Sequence, residues 1–326
     1  MFESGLLPRL RRDVAGWASP LGAPCVEEIV ETKLHTPVML GEILEYLDLA
    51  PGKTVVDATV GTAGHALEVL KKITPGGRLI GIDRDEDALA IARHQLEHYG
   101  KNSRLVYGSF ADIDNILKDC GIRKVDGILF DLGVSSLQLG DPERGFSFNK
   151  DGPLDMRMDK KSYISAYDLM NNLNEQEIST ILWNFGQERW HRRIARLLVR
   201  EREKHPITTT SQLSDIVFRA MPYKHKYQRI HPATRTFQAV RIAVNRELES
   251  LESAITKSVD LLAKGGRICV ISFHSLEDRI VKWRFREFAS NGLVRIITPK
   301  PLTPSWGEAK ENPSSRSSKL RVAERL

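Results

Sequence analysis

The chain has 326 residues, with 41% apolar side chains, 28% charged side chains and a formal net charge of +6 at pH 7. This length allows a large buried core in one large domain or two smaller ones, and the composition is that of an ordinary globular protein. No apolar stretch approaches the roughly 18 residues that span a bilayer, so we expect no membrane partner. The positive charge permits a nucleic-acid partner without requiring one.

Residues 1–33 are predicted to be a poorly ordered N-terminal extension. Arginines lie near its start, but the apolar segment of a secretory signal does not follow them. An organelle transit peptide is the alternative that the pattern leaves open. The cysteines of the chain lie far apart and form neither a metal-binding motif nor a disulfide framework; they are Cys25, Cys120 and Cys269. We therefore expect a reducing, cytoplasmic location and no metal site.

The first strand of the protein is predicted at Thr54–Val56, which is apolar and β-branched, as a buried strand requires. A helix is predicted upstream of it over residues 37–47, with Thr36 as its N-cap. Gly61 and Gly64 interrupt the strand pattern and indicate a tight turn, because glycine lets the backbone approach a ligand closely.

A second βα unit follows directly. A helix is predicted over residues 66–72, a strand over residues 78–82 and a helix over residues 86–96, with Asp83 at the carboxyl end of the strand. This order is typical of the nucleotide-binding half of a doubly wound sheet. The carboxylate of Asp83 can accept hydrogen bonds from both ribose hydroxyl groups of a nucleoside.

The turn after the first strand favours S-adenosylmethionine over NAD as the ligand. A dinucleotide site needs G-x-G-x-x-G to seat a pyrophosphate, whereas Gly61 and Gly64 form only G-x-x-G. Asp57, at the end of the strand, repels a pyrophosphate but can hold an α-ammonium group. An ordinary turn with an acid there by chance is the alternative.

The alternation of strands and helices stops over residues 139–230, where an ordered loop and then helical patterns predict an all-helical insertion. The whole chain is therefore expected to be an α/β protein with a Rossmann-like sheet and an inserted helical domain. Residues 299–326 are expected to be a basic tail. Other elements are predicted at residues 103–107, 125–130, 165–172, 175–185, 188–204, 211–221, 233–263, 267–273 and 293–298.

Ligands of open α/β sheets bind beyond the carboxyl ends of the strands. This rule selects Asp57, Asp83, Phe110 and Asp131, which follow four consecutive predicted strands. Phe110 is placed to cover an adenine ring, with a core aromatic as the alternative. Asp131 is placed to face the methyl donor, with a solvated loop aspartate as the alternative.

The predicted insertion is rich in arginine and lysine, with aromatic residues between them. This pattern is typical of surfaces that bind single-stranded RNA, although a merely solvated helix face would look similar. The candidate RNA-binding residues in the insertion and the tail are Arg192, Arg193, Arg196, Lys224, Lys226, Arg229, Arg316 and Lys319.

Two histidines need separate weighing. His274 follows the predicted fifth strand and is a candidate catalytic residue in contact with substrate, with a structural capping role as the equal alternative. His231 precedes Pro232 and is expected to begin a helix. Neither has the partners of a Ser-His-Asp triad or a zinc site.

Nine stretches together resemble a known family. They are HTPV at 35–38, DATVGTAGH at 57–65, GIDRD at 81–85, FDLGVSS at 130–136, ERGFSF at 143–148, DGPLDMRMD at 151–159, HPATRTFQ at 231–238, SFHSLEDR at 272–279 and residues 312–324. The chain resembles the bacterial small-subunit ribosomal RNA cytosine-N4 methyltransferases, the MraW family, from about residue 34 to the C-terminus. So many long motifs in order make the resemblance highly specific.

The resemblance implies a methyltransferase core at residues 34–138 and 231–298, with an RNA-recognising insertion at 139–230. It implies S-adenosylmethionine as the cofactor, a cytidine in the decoding centre of small-subunit ribosomal RNA as the target, and the small ribosomal subunit as the partner, with a homodimer left open. The residues that map onto the cofactor site are Ala63, Gly64, His65, Asp83, Phe110, Asp131 and Gln138, with Asp57 and Gly61 supporting. Thr62 and Ala63 stand where the family usually has glycine, so we expect a stiffer turn.

The implied reaction is direct methyl transfer to the exocyclic N4 of cytosine, whose lone pair is delocalised into the ring. Asp131 or a backbone carbonyl of residues 132–134 is the candidate acceptor for the N4–H proton. Two other classes stay open. A DNA or small-molecule amino-methyltransferase would commonly carry Asp/Asn-Pro-Pro-Tyr/Phe where this chain has DLGV at 131–134, and a non-catalytic factor would bind RNA without turnover.

Overall fold

One seven-stranded sheet organises the part of the chain that the computed structural model describes, residues 37–226 and 230–326. The strands are β1 (Thr54–Asp57), β2 (Arg78–Asp83), β3 (Ser103–Tyr107), β4 (Val125–Asp131), β5 (Leu262–Ser272), β6 (Val294–Ile296) and β7 (Lys319–Arg325). Their order in the sheet is β3-β2-β1-β4-β5-β7-β6. The first five run parallel, and β7 is antiparallel to both β5 and β6.

Helices surround this sheet and fill the long segment between β4 and β5. They are α1 (Leu40–Tyr46), α2 (Gly64–Ile73), α3 (Glu86–Gln95), α4 (Ile113–Asp119), α5 (Ser136–Gly140), α6 (Ala166–Asn172), α7 (Glu175–Gly186), α8 (His191–Arg202), α9 (Thr210–Ala220), α10 (Tyr223–Lys226), α11 (Thr234–Asn245), α12 (Glu247–Leu261), α13 (Ser275–Ser290) and α14 (Trp306–Glu311). Short 3₁₀ turns lie at Glu97–Tyr99, Phe110–Asp112, Pro142–Arg144 and Pro313–Ser317. In the described residues, none of these helices combines the length and apolar character needed to cross a membrane.

Two consecutive residues of β1 show that both faces of the sheet are covered. Val56 packs into one hydrophobic cluster and Val55 into another, and both are fully buried. Successive side chains of a strand point to opposite faces, so a strand that is apolar at both positions lies inside a parallel sheet with helices on each side. The Rossmann-like fold predicted from the sequence is confirmed by this topology.

The first helix begins later than predicted. It starts at Leu40, and Met39 before it has a left-handed backbone with φ of 52°. The backbone N–H of Met39 donates to the Glu308 carboxylate at 2.6 Å, so a side chain from the far end of the chain takes the place of a local cap. The expected cap, Thr36, lies outside the described residues, as does the predicted extension at residues 1–33.

The single long helix predicted over residues 233–263 was wrong, because α11 and α12 are separate. Arg246 between them has φ of 49°, which ends one helix and turns the chain into the next. The Asn245 side chain donates to the Met156 carbonyl at 2.7 Å and accepts from the Met158 N–H at 2.8 Å. These contacts hold the break in place against the loop at residues 141–159.

The C-terminal segment is also corrected: residues 299–326 do not form a tail outside the sheet. Strand β7 lies between β5 and β6, with Leu320 and Val322 on one face and Ala323 on the other. Arg321 is buried and pairs with Asp278 of α13 at 2.7 Å. The charged residues of β7 hide this strand in the sequence, because they make it look like a solvated segment. In the structure they are paired rather than solvated.

Helices α6 to α9 share a third hydrophobic cluster with the loop at residues 141–159. Helix α11 joins this cluster through Phe237, Ala239 and Val240, so the helical packing extends beyond residue 230. The helices of the predicted insertion are present with bounds shifted by at most three residues. The domain boundaries and the RNA role of the insertion stay predictions.

Candidate active site

A cavity of about 510 Å³ opens at the carboxyl ends of β1, β2 and β4. The ends of β1 to β4 and the segments that follow them line it. Of the predicted cofactor residues they contribute Gly61, Gly64, His65, Asp83, Phe110, Asp131 and Gln138. The wall also includes Pro37 and Val38 before α1, and Pro313, Ser314 and Ser317 before β7. Such a volume is typical of sites for small molecules.

The glycine turn shapes the floor of this cavity. Gly61 has φ of 50°, and its N–H donates to the Asp83 carboxylate at 2.8 Å. A Cβ on Gly64 would come within 2.9 Å of the Pro37 side chain, so only glycine fits there without displacing the cavity wall. Helix α2 starts at Gly64 with no side-chain cap, which leaves N–H groups of its first turn available to an anionic ligand group.

Asp83 is held by its own backbone neighbours. One carboxylate oxygen accepts from Gly61 N–H and the other accepts from Asp85 N–H at 2.9 Å. Burial raises the pKa of this carboxyl, and the two N–H groups oppose that rise by favouring the charged form. Each oxygen keeps a further lone pair, so the group can still accept hydrogen bonds from a diol.

The side chains of Asp57 and Ala63 do not reach the cavity. Asp57 is 2% exposed, and one of its oxygens accepts from Thr59 N–H at 3.2 Å. Burial raises the pKa of Asp57 to about 7. Ala63 has φ of 71° and is fully buried in the hydrophobic cluster around α2. Both residues therefore shape the turn and do not line the cavity.

Asp131 is the one predicted site residue whose carboxylate has a buried oxygen without a hydrogen-bond partner in the described residues. Its Oδ1 is buried without a hydrogen-bond partner, and the side chain is 25% exposed where it lines the cavity. Burial raises the pKa of Asp131 to about 7. The backbone N–H of Asp131 donates to the Thr59 hydroxyl at 2.7 Å, which fixes the backbone that carries the carboxylate.

His65, in the first turn of α2, lies beside Asp131. Its Nε2 is 2.9 Å from the Val38 carbonyl, which requires a proton on that nitrogen, and its Nδ1 is 3.6 Å from the Asp131 carboxylate. Burial lowers the pKa of His65, so the ring is neutral at physiological pH. With Nε2 protonated, Nδ1 presents a lone pair towards Asp131.

Phe110 is both a core residue and part of the cavity wall. Its ring packs edge-to-face on Phe130 with centroids 5.7 Å apart, and the Arg84 guanidinium lies 5.6 Å from its centroid. It is 9% exposed, and that part of the ring faces the cavity. The two alternatives considered for Phe110 are therefore compatible.

Gln138 lines the cavity, but its side chain is mainly used inside the protein. Its Nε2 donates to Asp85 at 2.7 Å, and its Oε1 accepts from the Ser135 N–H in the cap of α5. The same Asp85 oxygen pairs with the buried Arg144 at 2.8 Å. Arg144 also donates to the carbonyls of Arg157 and Met158. This network joins α3, α5 and the loop at residues 141–159.

We expect Arg144→Met to lower the free energy of unfolding by about 3–5 kcal/mol, because it leaves the buried Asp85 carboxylate without its cation. Arg246→Met is the matched control, since Arg246 pairs with Glu249 in solvent and such pairs contribute roughly 0–1 kcal/mol. Urea unfolding followed by circular dichroism measures both. Equal losses in the two variants would contradict a structural role for the buried pair.

His274 caps α13 and does not line the cavity. Its Nδ1 accepts from the Glu277 N–H, and burial lowers the pKa of His274 to about 3. Of the two alternatives for His274, the geometry gives the capping role. His231 similarly accepts the Ala233 N–H at 3.2 Å before α11, and its ring stacks on Phe148 at 4.6 Å.

Glu247, His274 and Glu277 place three ligand-type atoms within 4.8 Å of one another. Arg241 occupies both oxygens of Glu247 at 2.9 Å each, so its positive charge disfavours a metal ion at this position. Burial raises the pKa of Glu277 to about 7 while its Oε2 accepts from two backbone N–H groups. Of these three residues, Glu247 and Glu277 line the cavity.

The predicted RNA-binding residues lie in two regions. Arg192, Arg193 and Arg196 are exposed on α8, and Lys224 and Lys226 lie on α10. Arg316 and Lys319 lie in the C-terminal segment, where Lys319 is 3.6 Å from Asp278. Arg229 lies outside the described residues.

Three arginines near the cavity were missed from the sequence: Arg84, Arg144 and Arg241. Arg84 and Arg241 line the cavity, and Arg144 supports its wall. Their only sequence signal is that Arg84 and Arg144 fall inside the motifs GIDRD and ERGFSF. A buried arginine cannot be distinguished from a solvated one by its spacing.

Comparison with known proteins places these features in a family. The sequence profile of the MraW methylase family matches residues 32–326. Ribosomal RNA small subunit methyltransferase H of Geotalea uraniireducens is 49% identical, and the match covers 90% of this chain and 98% of that protein. The protein of the same name from Brevibacillus brevis is 45% identical, with 90% and 98% covered. An rRNA methylase structure from Streptococcus thermophilus has a TM-score of 0.41 at 12% identity, covering 88% of this chain and 93% of that one. The chain belongs to the MraW methylase family, and its cofactor is S-adenosyl-L-methionine.

Proposed function

We propose that this protein transfers the methyl group of S-adenosylmethionine to the exocyclic N4 of a cytidine in the decoding centre of small-subunit ribosomal RNA. The relatives named above act, by their names, on small-subunit ribosomal RNA. The observation that carries the proposed chemistry is the Asp131 carboxyl group, whose side chain lines the cavity, is 25% exposed and accepts no hydrogen bond from the described residues. An acceptor of this kind is what a weakly nucleophilic amino group needs.

The cavity residues fit the cofactor in three places. The uncapped N–H groups at the start of α2 suit its carboxylate, and the fixed carboxylate of Asp83 suits its ribose hydroxyl groups. The exposed part of the Phe110 ring suits its adenine. The acids along the same edge favour the positive charge of a sulfonium.

The bound cofactor supplies an electrophilic methyl group. The role of Asp131 is to accept the hydrogen bond of N4–H, which localises the nitrogen lone pair, and to take the N4 proton when the methyl group is transferred. The N–C bond would form as the bond from methyl carbon to sulfur breaks, with S-adenosylhomocysteine as the leaving group. Its pKa of about 7 is suited to this task, since a base works best when its pKa lies near the working pH. The target base must leave its stack to enter the cavity, which costs least in unpaired RNA.

Binding of the RNA is assigned to the exposed arginines of α8. Arg192 and Arg193 form no ion pair within residues 37–226 and 230–326, so their charges remain available for phosphates. Arg196 lies 3.5 Å from Glu175, and both side chains are largely exposed. An exposed, arginine-rich helix face is suited to a folded or partly unpaired RNA.

We expect the variant Arg192→Gln/Arg193→Gln to bind RNA with a shallower salt dependence. Each phosphate contact on a single strand contributes a slope of about −0.7 in a plot of log affinity against log salt, so the slope should become less steep by about 1.4. Fluorescence anisotropy with an oligoribonucleotide, at salt concentrations from about 50 mM to about 300 mM, measures this slope. Arg295→Gln, which removes an exposed arginine paired with Glu324, should leave the slope unchanged. An unchanged slope in the double variant would remove α8 from the RNA surface.

The direct test of the reaction uses small ribosomal subunits from a strain that lacks this methylation. Labelled S-adenosylmethionine should transfer its methyl group to one cytidine, which mass spectrometry of nuclease fragments identifies as N4-methylated. Transfer to another atom or base would refute the proposed specificity, and no transfer together with RNA binding would favour a non-catalytic factor. A cytoplasmic location follows from this substrate and is part of the proposal, and a homodimer stays a prediction.

A further inference from the structure

A short helix at the rim of the cavity carries an unusual surface. Trp306, the first residue of α14, is 79% exposed, and the Lys310 ammonium lies 5.3 Å from its ring centroid. Arg316 follows in the next turn and donates to the Ala309 carbonyl at 3.1 Å. Together with Ala309, these three side chains line a shallow pocket of about 280 Å³.

This pocket is anchored to the wall of the main cavity from two sides. Glu308 of α14 accepts the Met39 N–H at 2.6 Å, next to Val38, whose carbonyl is bound by His65. On the other side, Ser314 and Ser317 line the main cavity, while Arg316 between them lines the shallow pocket. The two pockets therefore share one short segment of chain as their common border.

The chemistry of the shallow pocket fits a nucleotide. The indole offers an exposed aromatic face on which a base can stack, and two cations lie within reach of its phosphate. Within the described residues, neither Lys310 nor Arg316 takes part in an ion pair, so neither charge is neutralised by the protein. The only acid of α14 that turns towards the protein, Glu308, is already bound to Met39.

We propose that Trp306, Lys310 and Arg316 form a nucleotide subsite that stacks an unpaired base of the RNA beside the target base. This inference rests on the proposed function, because it needs an RNA substrate. The subsite holds the strand that leaves the cavity, so it contributes to the choice of target and to binding. It does not touch the reacting atoms, and its residues are specificity and positioning residues.

The test compares Trp306→Ala with Trp306→Phe and with Trp283→Ala. Trp283 is the matched control, because it is also exposed on a helix with Lys282 and Arg286 near its ring, but it lines neither pocket. We expect Trp306→Ala to raise the KM for undermodified small subunits by about 5- to 150-fold, the range found when one stacking aromatic is removed. The rate at saturating subunits and the affinity for S-adenosylmethionine should change by less than about twofold. Trp306→Phe should restore most of the KM, since it keeps an aromatic face.

The outcomes separate this inference from the function on which it rests. If the unaltered protein methylates the subunits and Trp306→Ala matches it in KM, the subsite is refuted while the proposed function stands. The same holds if Trp283→Ala raises KM equally, since the effect would then belong to exposed aromatics in general. If Trp306→Ala weakens binding to whole subunits but not to an unpaired oligoribonucleotide, the pocket contacts a protein and the nucleotide subsite is refuted. Failure of the unaltered protein to methylate any subunit would instead refute the proposed function.

Discussion

Asp131→Asn is expected to lower the single-turnover rate of methyl transfer by about 10²- to 10⁴-fold, the usual contribution of a positioned general base. The amide oxygen can still accept a hydrogen bond, but it cannot take the N4 proton. The geometry supports this role, because the partly exposed Asp131 side chain lines the cavity, accepts no hydrogen bond from the described protein, and has its backbone fixed by Thr59. Rapid-quench assays with labelled cofactor measure the rate directly.

The pH dependence of the unaltered protein gives a second measurement of the same group. Only the ionised form of Asp131 accepts a proton, and its pKa is raised to about 7, so the rate should fall as the pH decreases through about 7. A bound sulfonium cation will lower that pKa, since an opposite charge favours the ionised form. The midpoint in kcat should therefore lie below the midpoint in kcat/KM.

The free energy of unfolding, measured at two pH values, tests whether the pKa of Asp131 is raised by burial. A carboxyl whose folded pKa is raised costs the folded state stability progressively as the pH rises from the unfolded pKa of about 4 to the folded pKa of about 7. The cost is complete above the folded pKa and absent below the unfolded one. Asp131→Asn should thus stabilise the fold at pH 8 by roughly 1–4 kcal/mol and leave it unchanged near pH 4. Asp119→Asn, an exposed change of the same kind, should affect neither rate nor stability. Full turnover of Asp131→Asn with intact cofactor binding would transfer the acceptor role to a backbone carbonyl of residues 132–134.

The sequence predicted the cofactor half of the sheet well because its signals are local. A β-branched strand, a glycine turn and an acid at the next strand end each leave a pattern within about ten residues, and the structure brings Gly61 and Asp83 into direct contact. The parallel direction of β1 to β4 also follows from the alternation of β and α units. These features needed no knowledge of distant contacts.

Features that depend on distant contacts were not predictable in the same way. Strand β7 contains four charged residues among seven, and it is buried only because Arg321 meets Asp278 and because β5 and β6 flank it. Helix α1 begins where Glu308, 269 residues away, binds Met39. The break between α11 and α12 has neither glycine nor proline at residue 246. In each case a partner far along the chain overrides the local propensity.

The site residues also divide into features that the local sequence predicts and features that contacts within the fold decide. Asp83 and Asp131 were placed correctly at the cavity from strand ends alone, whereas Asp57 follows a strand in the same way and is sealed beneath the turn by its bond to Thr59. Gln138 reaches the cavity wall, but its amide is bound to Asp85 and Ser135. Position in the sequence therefore indicates the edge of the sheet, and the hydrogen-bond partners decide which side chains face the ligand.

Asp83→Ala is expected to weaken S-adenosylmethionine binding by about 10²- to 10⁴-fold. Two charge-assisted hydrogen bonds to a ribose contribute roughly 1.5–3 kcal/mol each, and each 1.4 kcal/mol is a factor of ten. Alanine also leaves the N–H groups of Gly61 and Asp85 without their acceptor, so the glycine turn loses its anchor. Asp83→Asn keeps one carbonyl acceptor and should show a smaller loss. Isothermal titration calorimetry measures both.

A ligand change separates the direct effect from the loss of the turn. The 2′-deoxy analogue of S-adenosylhomocysteine lacks one hydroxyl group, so it should bind the unaltered protein more weakly than S-adenosylhomocysteine does. In Asp83→Asn this difference should shrink, because the charged partner of that hydroxyl is already absent. If the analogue loses the same factor in both proteins, Asp83 does not contact the ribose and acts only on the turn. The acid at the end of β2 would then be an organiser of the glycine loop, and the specificity for a nucleoside would have to come from the Phe110 side of the cavity.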